Sequence, residues 1–219
     1  RFVKDFLHID LRWFQKIVIY AMNMNPAFCM IASRGLGKSF LIAIYCCVRC
    51  VLYPGTKICI ASGTRGQATN VLEKIRTEII PKSNELKCEL RGGDIKIAAS
   101  EAIALFKNGS YIKVVTASDS ARGNRANVLV LDEFRMLDKD TIDTVLTKFL
   151  TASRQPGYLS KPEYAHLKDQ ERNRQVYLSS AYFHDHWSYM KVKSFVKNMQ
   201  HPDRDWFICS FPYQLAITE

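Results

Sequence analysis

The sequence predicts an α/β fold, a mainly parallel central sheet flanked by helices. Three observations point there. Strand-like and helix-like runs alternate from residue 27 onward, a glycine-containing loop joins the first such strand to the first such helix, and a later apolar run ends in two carboxylates. The 219 residues are 47% hydrophobic, enough for one large domain with a buried core. No apolar run approaches the roughly 18 residues of a membrane-spanning helix, so no membrane partner is expected. No N-terminal signal sequence is visible, and the chain begins at Arg1 rather than Met, which reads as a fragment of a longer protein.

Residues 27–31 are apolar like a buried strand, and residues 40–44 read as the first turns of a helix. Between them runs Ala32-Ser33-Arg34-Gly35-Leu36-Gly37-Lys38-Ser39. Gly37-Lys38-Ser39 fits the G-K-[ST] end of a phosphate-binding loop, while Ala32 stands where that motif has its first glycine. A loop at a strand-to-helix junction aims backbone N–H groups at a triphosphate, on the positive end of the helix. The expected contacts are Ser33, Arg34, Gly35, Leu36, Gly37, Lys38, Ser39 and Phe40. Lys38 would reach the β- and γ-phosphates and Ser39 would hold Mg²⁺. The reading is a P-loop NTPase that uses ATP and Mg²⁺.

The stretch Val128-Leu129-Val130-Leu131-Asp132-Glu133 fits a buried parallel strand with acids at its C-terminal end. Open α/β sheets bind their ligands there. Asp132 would join the Mg²⁺ shell, and Glu133 would act as general base on the attacking water. A second acid argues for hydrolysis, because water needs a base whereas a kinase substrate brings its own hydroxyl.

The remaining elements follow in order. Residues 57–62 read as a strand. Ala68, Val71, Leu72, Ile75 and Ile79 recur at helical spacing until Pro81. Residues 102–107 and 111–115 flank Asn108-Gly109, a hairpin signal. Gly123 suits a tight turn before the acidic strand. Ile142, Val145, Leu146, Phe149 and Leu150 mark a helix after it. Residues 175–179 and 206–211 read as two more core strands. The polar stretch 154–174 is long for a compact domain and suits either a solvent loop or a partner-binding segment.

Smaller constellations refine the reading. Trp13-Phe14-Gln15 precedes the loop, and the Gln15 amide can pair with the N6 donor and N7 acceptor of adenine. Arg122 and Arg125 could contact phosphate, DNA or a neighbouring subunit. Ser179 and Ser180 end a core strand, where hydroxyls can sense the γ-phosphate. Thirty-one basic against 21 acidic residues give +10, which suggests a polyanionic partner such as nucleic acid. Seven cysteines, including Cys47-Val48-Arg49-Cys50, lack a second pair at zinc spacing and read as small buried residues in a reducing compartment. His184-Asp185-His186 is at most half a metal site.

Together these residues resemble the ATPase domain of a large terminase subunit, the DNA-packaging motor of tailed bacteriophages. The resemblance spans most of the chain, through the Gln15 adenine motif, the Ser33–Ser39 loop, Asn108-Gly109-Ser110, Arg122-Gly123, Leu131-Asp132-Glu133 and the Ser179-Ser180-Ala181 coupling motif. That family's loop often begins Ser-Arg without the first glycine, so Ala32 supports the match. The resemblance implies an ASCE (RecA-like) P-loop fold over residues 1–219, with 1–26 as the adenine-motif segment and 27–219 as the core. It also implies a C-terminal nuclease domain in the parent protein that this fragment lacks. The implied partners are double-stranded DNA, the portal protein, the small terminase subunit and further copies of the chain in a ring. The implied location is the host-cell cytoplasm, with transient docking on the procapsid. An arginine finger is expected from Arg34, or else Arg122, in cis or in trans. One lobe of a two-lobed helicase is the nearest alternative. A nucleotide-gated DNA clamp is another, against which Glu133 argues.

Overall fold

Apolar patterning decides the architecture of this chain, whose computed structural model describes residues 1–116, 123–151, 153–170 and 172–217. Helices α1 (Phe2–Asp5) and α2 (Trp13–Met24) precede strand β1 (Ala27–Ala32), helix α3 (Lys38–Leu52), strand β2 (Lys57–Ser62) and helices α4 (Arg65–Lys74) and α5 (Asn84–Glu89). Strands β3 (Lys96–Ile97), β4 (Ala102–Leu105), β5 (Tyr111–Val114) and β6 (Val128–Asp132) follow. The chain ends with α6 (Lys139–Thr141), β7 (Arg174–Ser179), α7 (Trp187–Met199), β8 (Trp206–Phe211) and α8 (Gln214–Ile217).

The strands form one eight-stranded sheet in the order β3-β4-β5-β2-β6-β7-β1-β8. The six strands from β5 to β8 in that order pair in parallel, and β3 and β4 add an antiparallel end. Alternate residues feed two cores. Phe28, Met30, Ile60, Val130 and Val176 pack under α2, α3 and α4, whereas Cys29, Leu129, Leu131 and Tyr177 pack under α7 and the segment 134–149. All five residues of β6 are buried. A strand covered on both faces favours apolar side chains on both, which is why residues 128–131 show a run rather than an alternation, with the charged Asp132 only at the strand's end. Each such side chain contributes roughly 1.5–3 kcal/mol over its exposed state.

The hairpin forms at Asn108-Gly109. Phe106 N–H donates to the Ser110 carbonyl at 2.9 Å, and Gly109 takes φ 83°, the left-handed conformation that glycine adopts without penalty. Asn108 also donates from Nδ2 to the Cys50 carbonyl at 2.8 Å, so the turn caps the C-terminal end of α3. Cys46, Cys47 and Cys50 are fully buried on that helix, and all seven cysteines are free thiols. His186 accepts the Ser188 N–H at Nδ1 and caps α7, while His184 stacks on Tyr189.

Three elements depart from the sequence reading. The helix expected at 142–150 has no α turn within those residues; it starts earlier as α6 (Lys139–Thr141) and continues as a π turn (Ile142–Leu146) and a 3₁₀ turn (Thr147–Phe149). The Thr144 and Thr147 hydroxyls donate to the carbonyls of Asp140 and Asp143, competing for the acceptors a regular helix needs. Its apolar residues Ile142, Val145, Leu146 and Phe149 are nevertheless buried. Second, β8 lies at the end of the sheet and is only half-buried, so it is not a core strand. Third, the helix expected through Ala68, Val71, Leu72, Ile75 and Ile79 is α only over Arg65–Lys74 and continues as a π turn (Ile75–Ile79) and a 3₁₀ turn (Ile80–Lys82). Within the stretch 154–174 the described residues include two 3₁₀ segments (Gly157–Ser160 and Pro162–Gln170), and buried Arg154 donates to the Pro54 carbonyl at 3.0 Å.

Gly63, just after β2, is a close-approach glycine: a Cβ there would stand 2.7 Å from the Met136 Cβ, in the turn following Glu133. Gly63→Ala should therefore cost about 1–3 kcal/mol by overpacking, read as a lower urea midpoint at unchanged slope. Adding Met136→Gly should return most of that loss. A wild-type midpoint for Gly63→Ala alone would show that the turn moves aside freely.

Candidate active site

The order β6-β7-β1 brings three loops together at the C-terminal edge of the sheet. The loop after β1 carries Ser33 to Gly37, and Lys38 opens α3. Gly35 and Gly37 take φ 87° and 72°, conformations open to glycine at little cost. Ala32 needs no such freedom. It is the buried last residue of β1, and its carbonyl accepts Lys38 Nζ at 2.9 Å. Lys38 is nearly buried and also donates to the Ser33 carbonyl and Ser180 Oγ, each at 3.3 Å. Its Nζ lies 3.5 Å from Glu133 Oε1. Ser39 and Phe40 follow, half-buried, in the first turn of α3.

The two acids sit side by side in different surroundings. Asp132 ends β6, 4% exposed, and its Oδ1 is buried with no hydrogen-bond partner. Burial, then the neighbouring Glu133 charge, push its carboxyl up to about 6, against the pull of Lys38. An orphaned carboxylate oxygen is the donor a hard divalent cation prefers, and the Ser39 hydroxyl is a second oxygen of the same class. The residues present therefore fit Mg²⁺.

Glu133 has φ 47° and ψ 50°, a left-handed backbone that costs a non-glycine residue on the order of 1–3 kcal/mol. Its carboxylate is held from several sides. Oε2 accepts Ser179 Oγ at 3.2 Å, the Ser180 N–H at 3.3 Å and Arg135 Nε at 3.2 Å, and Oε1 accepts Ser180 Oγ at 3.2 Å. Burial opposes its ionisation, but the Ser180 amide, Lys38 and Arg135 outweigh it and hold the carboxyl below its ordinary value.

Lys38, Glu133, Ser179 and Ser180 meet within hydrogen-bonding range, with Asp132 beside them. The serines bond the Glu133 carboxylate, a role that a strand-end position alone does not reveal. Arg135 was missed; its signal is a basic residue in the turn directly after the acid pair, and its guanidinium also lies 4.8 Å from the Tyr182 ring centre. Gln15 opens α2, where its Oε1 accepts the Arg12 N–H at 3.0 Å. It lines a cavity of about 240 Å³ with Arg12, Phe14, Gly35, Leu36 and Gly37, so the sheet does bring it alongside the loop. Arg34 is exposed on the loop. Arg122 lies outside the described residues.

Residues 29–167 match the family described as "Terminase large subunit, T4likevirus-type, N-terminal". The chain belongs to that family. No curated protein matches the sequence. Among solved structures, the large terminase ATPase domain of Thermus phage P74-26 is 13% identical with a TM-score of 0.53, over 91% of this chain and 92% of that one. The large terminase of a second, thermophilic bacteriophage is 12% identical with a TM-score of 0.61, over 96% of this chain and 48% of that one. That second terminase in complex with ADP gives 0.60 at 12% identity, over 96% and 47%. At such identities the structures establish a shared P-loop fold, and this chain spans about half the length of the second terminase.

The raised Asp132 carboxyl has a measurable consequence for this terminase domain. Well below its ordinary value of 3.8 it is protonated in the folded and unfolded chains alike. Between its ordinary value of 3.8 and about 6 the folded chain binds the extra proton, so stability falls as pH rises through that window. The loss should total about 1–3 kcal/mol, at 1.4 kcal/mol per pKa unit. Asp132→Asn should remove this component, so that its stability gains on wild type between pH 4 and 7 in urea titrations. Parallel pH profiles for the two proteins would contradict the assignment.

Proposed function

We propose that this domain hydrolyses ATP and that hydrolysis drives double-stranded viral DNA into a procapsid. The single observation that carries the reading is the meeting of Lys38, Asp132 and Glu133 across β1, β7 and β6. The family assignment supports a packaging motor over one lobe of a helicase or a clamp without turnover.

In this reading the amides of residues 35–39 and the N-terminal end of α3 receive phosphate oxygens. Lys38 exchanges its bonds to the Ala32 and Ser33 carbonyls for the β- and γ-phosphates. Ser39 and Asp132 would hold Mg²⁺, which supplies charge neutralisation on those oxygens. Glu133 takes the proton of the attacking water. Its depressed pKa keeps it ionised at neutral pH, ready to accept that proton. Ser179, Ser180 and Arg135 keep the carboxylate fixed while Lys38 leaves it. Because Ser180 touches both Lys38 and Glu133, occupancy of the phosphate site is felt directly in the segment after β7. That contact is a route from chemistry to motion.

Gln15 is read as the adenine contact. The Arg12 N–H fixes its Oε1, leaving Nε2 to donate to N7 and the second lone pair of Oε1 to accept from N6. DNA, the portal protein, the small terminase subunit and a ring of further copies are the proposed partners, in the host-cell cytoplasm at the procapsid. The +10 charge suits sequence-tolerant backbone contacts with DNA.

Three variants separate the roles. Lys38→Ala should abolish turnover and weaken ATP binding, Glu133→Gln should stop turnover while sparing binding, and Gln15→Ala should reduce preference for ATP over GTP by roughly 1–3 kcal/mol. Mg²⁺ should raise the unfolding midpoint of wild type at pH 7 and leave that of Asp132→Asn unmoved. Near-normal kcat in Glu133→Gln would remove it as the base.

Exposed Arg34 is the proposed arginine finger, an element worth on the order of 10³–10⁵ in rate, with Arg122 next. If Arg34 acts in trans, specific activity should climb with protein concentration, and mixing Arg34→Ala with Lys38→Ala protein should restore some turnover. If it acts in cis, Arg34→Ala alone should be slow and mixing should do nothing. Wild-type kcat for Arg34→Ala in the assembled motor would transfer the role to Arg122.

A further inference from the structure

Glu133 accepts from Arg135 at Nε, the stem of the guanidinium, at 3.2 Å. A guanidinium grips a carboxylate most firmly when two parallel N–H groups engage it. A bond at Nε lets the side chain pivot about that contact, so its direction depends on what holds the rest of the group. Arg135 stands in the 3₁₀ turn Phe134–Met136 directly after Glu133, its side chain 15% exposed. Its guanidinium carbon lies over the Tyr182 ring, 4.8 Å from the ring centre. An aromatic face attracts the cation and restrains its plane without taking an N–H group from the carboxylate.

Tyr182 reaches Arg135 from the other side of the site. It leaves β7 two residues after Ser180, and its ring meets Phe183 and His186 edge-on, each at 4.9 Å. His186 caps α7 by accepting the Ser188 N–H at 3.3 Å, and its ring lies 5.7 Å from that of Trp187. Trp187 in turn meets Phe134 at 5.8 Å, and Phe134 is fully buried. Phe134 is the residue between Glu133 and Arg135. The contacts therefore close a circuit through Phe134, Trp187, His186, Tyr182 and Arg135, and back along the backbone. Core packing fixes the circuit at Phe134. At Tyr182, 45% exposed, burial contributes little, and the ring covers a cation instead.

We propose that Tyr182 is a positioning residue for hydrolysis, whose ring holds Arg135 against the carboxylate of Glu133. Residues 179–182 then supply, directly or through Arg135, each of the donors on Glu133 described above apart from Lys38. Ser179 and Ser180 donate from short side chains and from the backbone, which the strand end already fixes. Arg135 donates from a long side chain with much rotamer freedom to lose, so it is the donor that needs a second restraint. That restraint counts most when Lys38 leaves Glu133 for the phosphates. The inference rests on Glu133 being the base.

Steady-state ATP hydrolysis, with Tm measured alongside, tests it. Tyr182→Leu keeps apolar bulk and removes the ring. Its kcat should fall roughly 3–30-fold, the range that loss of a cation–π contact spans, while KM for ATP and Tm stay at their wild-type values. Tyr182→Phe keeps the ring and should recover most of that loss. In an Arg135→Gln background, Tyr182→Leu should cost nothing further, because the two residues act as one unit. If Arg135→Gln is inactive or unfolded, the comparison of Tyr182→Leu with Tyr182→Phe decides. Wild-type kcat in Tyr182→Leu beside an inactive Glu133→Gln would overturn this inference and leave the base in place, whereas normal turnover in Glu133→Gln would remove the base itself. A Tyr182→Phe protein as slow as Tyr182→Leu would also overturn it, as would a loss that appears in KM rather than kcat.

Discussion

The insertion of β7 between β6 and β1 is the constraint on which the site depends. All three strands run parallel, so their C-terminal ends and the loops leaving them share one edge. Ser179 and Ser180 thus emerge between the phosphate loop and the acid pair, and Ser180 can touch Lys38 on one side and Glu133 on the other. The register is fixed by packing. Tyr177 meets Phe134 and Phe195 edge-on, each at 5.4 Å, which pins the turn after Glu133 to β7 and to α7. A slip of one residue would reverse every side chain of β7 and expose that aromatic face.

Two adjacent carboxylates then acquire opposite characters. Asp132 points into a buried place with one oxygen unpartnered, and its proton is held more tightly than usual. Glu133, one residue on, turns through a left-handed backbone into a ring of donors and loses its proton more readily. Pairs of acids pushed apart in this way mark a division of labour, since environment rather than residue type sets the role of each. Here the division suits the proposed roles, a cation ligand beside a base. The left-handed turn is what makes it possible, because an extended residue at 133 would carry its side chain to the opposite face from Asp132 and away from Ser180.

Much of this was legible in the sequence because it is local. The phosphate loop, the doubly buried β6, the Asn108-Gly109 hairpin and the α4 stripe each follow from a few consecutive residues. What the sequence did not disclose is contact between distant segments. Nothing in Ser179-Ser180 states that both hydroxyls bond a carboxylate 46 and 47 residues upstream. Arg135 gains its meaning only from a backbone turn that no periodicity reports. The 142–149 segment kept its apolar spacing but not its regular helix, because threonine hydroxyls compete for its carbonyls. Strand β8 has core-like composition, yet its place at the end of the sheet leaves it half-covered.

The absent glycine at position 32 shows how a motif should be read. Phosphate-loop glycines serve conformations and close approaches, and only some positions of the motif demand them. In this chain β1 extends through Ala32, so that position is strand, not turn. Its carbonyl, rather than its small size, is what the site uses, as an acceptor for Lys38. Gly35 and Gly37 keep their left-handed φ because the chain must reverse within five residues to enter α3 with its amides grouped. A side chain is therefore tolerated where the loop begins and excluded where it turns. The requirement that survives in this sequence is the geometry of the turn, and Gly35, Gly37 and Lys38 are the residues that satisfy it.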